Sequence, residues 1–364
     1  MLNQLAQLQK KSCLTKAHLV MLLWAASFNG IAADINLPML GDSSSGIVSK
    51  NQEFKLGKSW LQAFRRQVEQ HDDPLLQAYL EQLTFDLVIH SELEDTRLTL
   101  VLVNNPNINA FAVPGGIIGI NTGIFTYADN EDQLASIISH EIAHLSQRHF
   151  ARRLEARRSS ANINLAGLLA TLIVSSKSGT DAGIAALSAS QALAIDQQLR
   201  YSRNNEKEAD RQGLKIMKKS GRDPGAAAEM LEKMMALTRY SGSRLPEFLL
   251  THPITERRVA DTRSRTLEYK NHHYPDNFDF YIMKARTQVL HQDNPKYSIK
   301  FFRQKLKENS LNDDAFRYGL AIANSKAGNH DQAIKHLASL LKKKPFYAPY
   351  IYTNIEIDIA AGNY

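Results

Sequence analysis

The sequence has 364 residues, of which 43% are hydrophobic and 22% charged, and its formal net charge is +7. These fractions are typical of soluble globular proteins and exclude both a disordered chain and a protein with many membrane spans. Aromatic residues do not alternate with the basic ones as they do on nucleic-acid-binding surfaces, so we expect no nucleic-acid partner. The length is sufficient for two domains of ordinary size.

The first 33 residues differ in composition from the rest of the chain. Lys10, Lys11 and Lys16 precede the apolar run "HLVMLLWAASF", and small residues follow up to Ala33. This order is typical of a cleaved secretory signal peptide, which predicts a protein exported across a membrane. A membrane anchor is the alternative, but the run of about 11 residues is shorter than the roughly 20 that a span needs. The only cysteine, Cys13, lies in this segment, so the predicted mature chain forms no disulfide.

The next part of the chain predicts helices and then strands. Residues 34–57 are polar and turn-rich, which predicts an irregular lead-in. Residues 59–89 carry apolar side chains at helical spacing and are interrupted by "HDDP", so two helices are expected. "LTLVLV" (98–103) predicts a strand, and "NAFAVPGGIIGINTGIF" (109–125) predicts a strand, a tight turn and a second strand.

Several helices are predicted beyond the strands. Residues 128–158 form one long helix in this prediction, capped by Asp129 or Asn130. Two apolar stretches follow at 163–174 and 182–195, each too short to span a bilayer. We expect buried core helices there, and a helical hairpin in peripheral contact with a membrane is the alternative. The helix that contains "NNEKEAD" is predicted to end at Gly221.

The C-terminal part of the chain contains a repeat. "YGLAIANSKAGN" (318–329) aligns with "YTNIEIDIAAGN" (352–363) at an offset of 34 residues. That period is typical of tetratricopeptide (TPR) helical pairs, and an unrelated helical bundle is the alternative. The predicted fold is therefore α+β and mainly helical. It consists of a domain at 58–272 that contains a small sheet, followed by TPR-like helical repeats at 276–364. An array that stops at Tyr364 after the first helix of a unit is expected to be incomplete.

The segment "SHEIAHLSQRH" carries the pattern of a zinc site. Because residues four apart lie on the same face of a helix, His140 and His144 are expected to point at one metal ion. Glu141 projects beside that axis, where it can take a proton from a zinc-activated water. His149 is half a turn out of phase and is not included in the site. A chance H-E-x-x-H on a surface helix is the alternative.

A third ligand is predicted downstream. The metzincin extension is excluded, because it requires glycine and histidine where the chain has Gln147 and Phe150. In "NNEKEAD", Glu206 can complete a His-His-Glu site and leave a fourth position open, as catalytic zinc requires. Asp210, one turn further, can hydrogen-bond a ligand histidine and fix its tautomer. Glu208 faces away and is expected to be solvated.

His140-Glu141-Ile142-Ala143-His144 and Glu206-Lys207-Glu208-Ala209-Asp210 resemble the HExxH and ExxAD motifs of the M48 (gluzincin) metallopeptidases. The resemblance implies one zinc ion per chain and peptide-bond hydrolysis, and it gives Asp210 the role of a proton donor. Orientation of a ligand histidine is the alternative role that we expect for Asp210. The signal peptide and the repeats resemble those of periplasmic members of the family.

Further residues are candidates for the site. His252, in "THPITERR", is expected either to reach the open zinc position, as a plug or an oxyanion contact, or to pack as a loop histidine. Arg257 is assigned to the arginine of the family's HPxxxxR pattern. Tyr201 and Arg203 are candidates for contact with substrate or with the ligands.

The resemblance to periplasmic members of the family, together with the TPR-like repeats, implies two alternative functions. The first is a periplasmic zinc endopeptidase that degrades unfolded, misfolded or stalled outer-membrane proteins and docks to the barrel assembly machinery through its TPR region. The second is a chaperone or adaptor of outer-membrane assembly with a latent peptidase. A membrane-embedded prenyl-protein peptidase is excluded, because the sequence has no spanning segments. An extended substrate is expected to pair with the edge of the "NAFAVPGG" hairpin.

Overall fold

The structure is a computed structural model. It describes residues 49–157, 189–240, 246–308 and 311–363. Over these ranges the fold is mainly helical with one small sheet, as predicted. The predicted signal peptide, and the apolar stretch at 163–174 with residues 182–188, lie outside the described residues. Among the described helices, none has both the length and the apolar content required to cross a membrane.

The elements that surround the site come first along the chain. In order they are α1 (Lys50–Gln67), α2 (Pro74–Val88), β1 (Thr99–Val103), β2 (Ala110–Val113), β3 (Ile117–Asn121), α3 (Ile124–Tyr127), α4 (Glu131–Ser146), α5 (His149–Arg157), α6 (Ala189–Lys219), α7 (Gly225–Tyr240), α8 (Glu247–Thr251) and α9 (Glu256–Thr266). The remaining helices are α10 (Phe278–Leu290), α11 (Pro295–Lys305), α12 (Asp313–Lys326), α13 (His330–Lys343) and α14 (Ala348–Ala361).

Helix α1 begins earlier than predicted. The Ser49 side chain accepts a hydrogen bond from the backbone of Gln52, and the Gln52 side chain accepts one from the backbone of Ser49. This capping box starts the helix at Lys50, so the prediction of an irregular lead-in up to residue 57 is wrong from that residue onward. The break before α2 is confirmed, because Asp73 caps α2 and Pro74 occupies its first turn.

The sheet has the strand order β1-β3-β2, so β2 lies at one edge. Strands β2 and β3 form the predicted hairpin and pair antiparallel, and β1 pairs parallel with β3. Gly115 and Gly116 form the turn with φ of +86° and +80°, which residues with a side chain rarely adopt. The hairpin therefore places β2 beside α4, the helix of the H-E-x-x-H motif.

The long helix predicted at 128–158 is broken. Asn130 caps α4 by accepting a hydrogen bond from the backbone of Gln133, and α4 ends at Ser146. Arg148 adopts a φ of +50°, and α5 begins at His149. Because an α-helix cannot continue through a left-handed residue, the chain changes direction there.

Helices α4 and α6 pack closely against each other. Gly213 of α6 lies against the backbone of α4, since a Cβ atom at this position would be 3.3 Å from the backbone nitrogen of His140. This close approach brings the side chains of the two helices to a common centre. The continuation of α6 to Lys219, followed by Gly221 in a left-handed conformation, confirms the predicted end of this helix.

Helices α10 to α14 pack against one another as a helical array. Gly328 and Gly362, which are equivalent in the 34-residue repeat, both have a φ of +76° and follow the ends of α12 and α14. Arg286 of α10 pairs with Asp73 at the start of α2 and with Glu356 of α14, so the array is joined to the rest of the fold by a buried ion pair. The assignment of these helices to the TPR class and the domain boundary near residue 275 stay predictions.

Candidate active site

The three predicted metal ligands converge. His140 and His144 lie on successive turns of α4, and Glu206 approaches from α6. The Nε2 atoms of the two histidines are 3.0 Å apart, and the Glu206 oxygens lie 3.3 Å from His140 Nε2 and 3.5 Å from His144 Nε2. All three side chains are nearly shielded from solvent. The arrangement therefore presents two nitrogens and a carboxylate to one point.

His252 joins this group from the segment after α8. Its Nδ1 atom is 3.1 Å from a Glu206 oxygen and 3.4 Å from His140 Nε2, so it can serve as a fourth ligand. The ring of Phe248 stacks on the His252 ring with centroids 4.6 Å apart, and the His252 backbone N–H donates to the Phe248 carbonyl. Four potential ligands from three chain segments thus surround the same centre.

Glu141 lies on the other side of His252. Its carboxylate is buried, and neither oxygen receives a hydrogen bond of good geometry. One oxygen is 3.4 Å from His252 Nε2. Burial raises the pKa of Glu141, although His252 and His140 favour its charged form. A buried carboxylate with raised proton affinity and open acceptor sites is suited to accept a proton from a water molecule.

Asp210 and Arg258 support His140 from behind. An Asp210 oxygen is 3.1 Å from His140 Nδ1, as predicted from the sequence. Arg258 donates two hydrogen bonds of 2.7 Å to the Asp210 carboxylate, and its third nitrogen lies 3.1 Å from Glu206. Burial would raise the pKa of Asp210, but these bonds to Arg258 and His140 hold it below its usual value. Asp210 is therefore a charged acceptor that fixes the His140 ring.

His144 has a different support. Its Nδ1 atom is 2.8 Å from Nδ1 of His149, a residue that the sequence analysis left out of the site. His149 is buried, and its Nε2 atom is 3.3 Å from Glu208. Burial lowers the pKa of His149 to about 4, so the ring is neutral at pH 7. Glu208 is partly exposed to solvent, as expected, but it is also paired with His149 and Arg152, which was not predicted.

Comparison with known proteins assigns the chain to a family. The model of peptidase family M48 matches residues 74–266, which include α4, α6 and the His252 segment. The chain belongs to peptidase family M48. This match confirms the resemblance to M48 metallopeptidases that the two motifs indicated.

Two groups of named proteases are similar to this chain. The beta-barrel assembly-enhancing proteases of Escherichia coli and Yersinia pestis are 36% and 33% identical over 324 residues. These alignments cover 89% of this chain but only 66% of each relative, so the chain spans slightly less than two thirds of their length. The mitochondrial metalloendopeptidase OMA1 of Schizosaccharomyces pombe is 27% identical over 211 residues, which are 54% of this chain and 57% of the relative.

The M48 site of this chain fits a zinc ion. Bonds of about 2.05 Å to a tetrahedral zinc put its ligands roughly 3.3 Å apart, and the separations of 3.0 to 3.5 Å between ligand atoms are close to that value. Burial lowers the pKa of His144, which keeps this ring in its neutral, ligating form. Although burial opposes it, the histidines hold the pKa of Glu206 well below its usual value. Burial opposes protonation of His140, but its contacts with Asp210 and Glu206 raise its pKa to about 10. Zinc therefore has to displace a proton from the His140 ring, because neutral imidazoles and a charged carboxylate are the forms that bind the ion.

Other predicted site residues have different positions. Arg257 is exposed, and the buried arginine of the site is its neighbour Arg258. The HPxxxxR pattern with four intervening residues also places the arginine at 258, so the assignment to Arg257 was one residue early. Arg203 is exposed on α6. The side chain of Tyr201 lies outside the described residues, and its role stays a prediction.

Proposed function

We propose that this chain is a periplasmic zinc endopeptidase that cleaves misfolded or stalled outer-membrane proteins. The observation that supports the activity is the convergence of His140, His144 and Glu206 on one point, with the Glu141 carboxylate beside it. The substrate class and the location are inferred from the similarity to proteases named for beta-barrel assembly, and from the signal-like N-terminus. Docking of the helical array to the barrel assembly machinery is part of the same proposal.

In this proposal the residues of the chain divide the reaction between them. Zinc bound at the site would supply Lewis-acid chemistry that polarises the scissile carbonyl and activates a water molecule. Glu141 accepts the proton of the attacking water and passes it to the leaving nitrogen. Asp210 and Arg258 keep the His140 ring in the orientation and tautomer required of a ligand.

Substrate binding is proposed to use the free edge of β2. Among the residues that the structure describes, no strand pairs with β2 on the side away from β3. The Ala112 backbone of β2 lies near the Glu141 carboxylate. An extended peptide that adds to this edge would pass next to the general base. Recognition through backbone hydrogen bonds depends little on sequence, which suits unfolded chains.

An adaptor without significant peptidase activity is the less favoured function. Such a protein would have no requirement for a buried carboxylate beside a complete set of zinc ligands. Burying charged groups is costly unless they are paired or bind a metal, and the site keeps Glu206 and Asp210 charged. This arrangement favours an enzyme.

Removal of zinc tests the proposed activity. Dialysis against 1,10-phenanthroline is expected to abolish cleavage of unfolded casein, and one equivalent of zinc should restore it, since the reaction depends on the ion. The His144→Ala variant lacks one ligand and should not recover at that zinc concentration. Cleavage that persists in fully zinc-free protein, or equal recovery by His144→Ala, would contradict the proposal.

We also propose that His252 acts as a reversible plug. Its ring lies between the ligands and Glu141, where the water and the scissile carbonyl have to enter. If the plug is seated in about nine molecules of ten, His252→Ala should raise kcat/KM about tenfold, because the competent fraction limits the rate. The exposed His273 provides the control variant His273→Ala, which should match the parent. Unchanged or lower activity of His252→Ala would reject the plug.

A further inference from the structure

A chain of three side chains continues outward from His144. His149 Nδ1 is 2.8 Å from His144 Nδ1, and His149 Nε2 is 3.3 Å from a Glu208 oxygen. The same Glu208 oxygen accepts a hydrogen bond of 2.9 Å from Arg152. The chain leads from a predicted zinc ligand in the interior to a half-exposed ion pair at the surface.

The hydrogen atoms in this chain can be assigned from the geometry. Two Nδ1 atoms at 2.8 Å attract each other only when one of them carries a proton. His144 must keep the Nε2 lone pair for the metal, so its proton is on Nδ1 and is donated to His149. His149 then carries its own proton on Nε2 and donates it to Glu208. Every donor in the series has one acceptor.

The backbone is bent so that this contact can form. In an unbroken helix, His149 would lie about 140° around the axis from His144 and could not face it. The left-handed conformation of Arg148, with a φ of +50°, ends α4 and redirects the chain. The buried Glu53 pairs with the Arg148 side chain at 3.0 Å and holds the bend. Such a conformation is unfavourable for a residue with a side chain, and it is typical of functional sites.

Helix α6 supplies the carboxylates that contact the histidines of the site. Glu206 points at the metal position, whereas Asp210 contacts His140 directly at 3.1 Å. Glu208 reaches the other ligand, His144, through His149. Each histidine ligand is thus connected to a carboxylate that is itself paired with an arginine.

We propose that His149 and Glu208 are positioning residues that fix the tautomer and orientation of the zinc ligand His144. The inference depends on the proposed zinc site. Loss of either residue leaves His144 free to rotate or to change tautomer, and therefore weakens zinc binding even though both zinc-facing histidines remain. Substitutions of such outer partners weaken metal affinity about ten- to one-hundredfold in other zinc proteins.

The test is competition for zinc between the full-length protein and a chromophoric chelator at pH 7. His149→Leu removes the acceptor and should weaken zinc binding about ten- to one-hundredfold. His149→Asn places a carbonyl oxygen near the position of Nδ1 and should bind within about threefold of the parent, because it can accept the His144 proton. Glu208→Leu should weaken binding by up to about tenfold. His273→Leu, at an exposed site, is the control.

Two further measurements distinguish a loss of His144 positioning from a loss of folding. Thermal unfolding of the zinc-free variants reports whether the buried position tolerates each change, and the half-exposed Glu208 gives a variant that does not alter the core. The visible spectrum of the cobalt-loaded protein should change in His149→Leu and remain parental in His149→Asn. Parental zinc affinity in both leucine variants, or an equal loss in His149→Asn and His149→Leu, would overturn the inference. A parent protein that binds no zinc would overturn the proposed function as well.

Discussion

Glu141→Gln is expected to lower kcat for peptide hydrolysis by about 10²- to 10⁴-fold and to leave zinc binding intact. Glutamine has nearly the same size as glutamate, but it cannot accept the proton of the attacking water. Glu141 is not among the side chains that converge on the metal position, so the ligand set is unchanged. The measurement is single-turnover cleavage of labelled casein, with zinc determined by elemental analysis of the same sample.

The control for this variant is Glu232→Gln. Glu232 lies on α7, is partly exposed and pairs with Arg263 away from the metal ligands. Its substitution removes a carboxylate charge without touching the site, so the parental rate is expected. A parental rate in Glu141→Gln, or loss of zinc from that variant, would contradict the role assigned to Glu141.

Arg258→Met is expected to lower the free energy of unfolding by about 3–5 kcal/mol, because it leaves buried charges without their partner. Arg258 is 3% exposed, makes two hydrogen bonds to Asp210 and lies 3.1 Å from Glu206. Methionine fills much of the volume but neutralises neither carboxylate. The measurement is urea-induced unfolding of the metal-free protein at pH 7.

The adjacent residue provides a matched control. Arg257 is exposed, so Arg257→Met is expected to change stability by no more than about 0.5 kcal/mol. The pKa of Asp210 is lowered in the folded protein, so its contribution is present above the usual value of 3.8 and is lost as the pH falls through the folded pKa. The difference between Arg258→Met and the parent should therefore shrink in acid. Equal stability of Arg257→Met and Arg258→Met would contradict the stabilising role assigned to the buried Arg258.

Helical periodicity was sufficient to predict which candidate ligands share a helix face, because that geometry is local. His140 and His144 are related by one helical turn, so a correct helix assignment brings them together. Glu206 and Asp210 are likewise one turn apart on α6, and one motif places both. The distance between the two helices was not predictable in this way. It depends on tertiary packing at Gly213, where the helix backbones meet.

The outer contacts of the site could not be predicted from helical periodicity. His149 appeared to be out of phase because the prediction extended α4 through Arg148, whose left-handed conformation has no glycine to indicate it. The pairing of Glu208 was not predicted for a related reason, since its partners lie on the redirected helix α5. Arg258 was predictable, because a full count of the HPxxxxR spacing gives this position.

In the helical array, the repeated local features were also predictable from the sequence, whereas the long-range contacts were not. The 34-residue offset predicted equivalent glycines, and Gly328 and Gly362 share the same left-handed conformation after their helices. The contacts of Arg286 with Asp73 and Glu356 join three distant segments, and a repeat pattern contains no information about them. Long-range ion pairs of this kind depend on the final packing.

Anomalous diffraction at the zinc edge, from crystals of the full chain grown with one equivalent of zinc, tests whether His140, His144 and Glu206 hold the ion. We expect one anomalous peak within about 2.0–2.2 Å of His140 Nε2, His144 Nε2 and a Glu206 oxygen. The fourth ligand should be His252 or a solvent molecule. A zinc peak elsewhere, or a Glu206 carboxylate turned away from the two histidines, would contradict the assignment of this site as the catalytic centre.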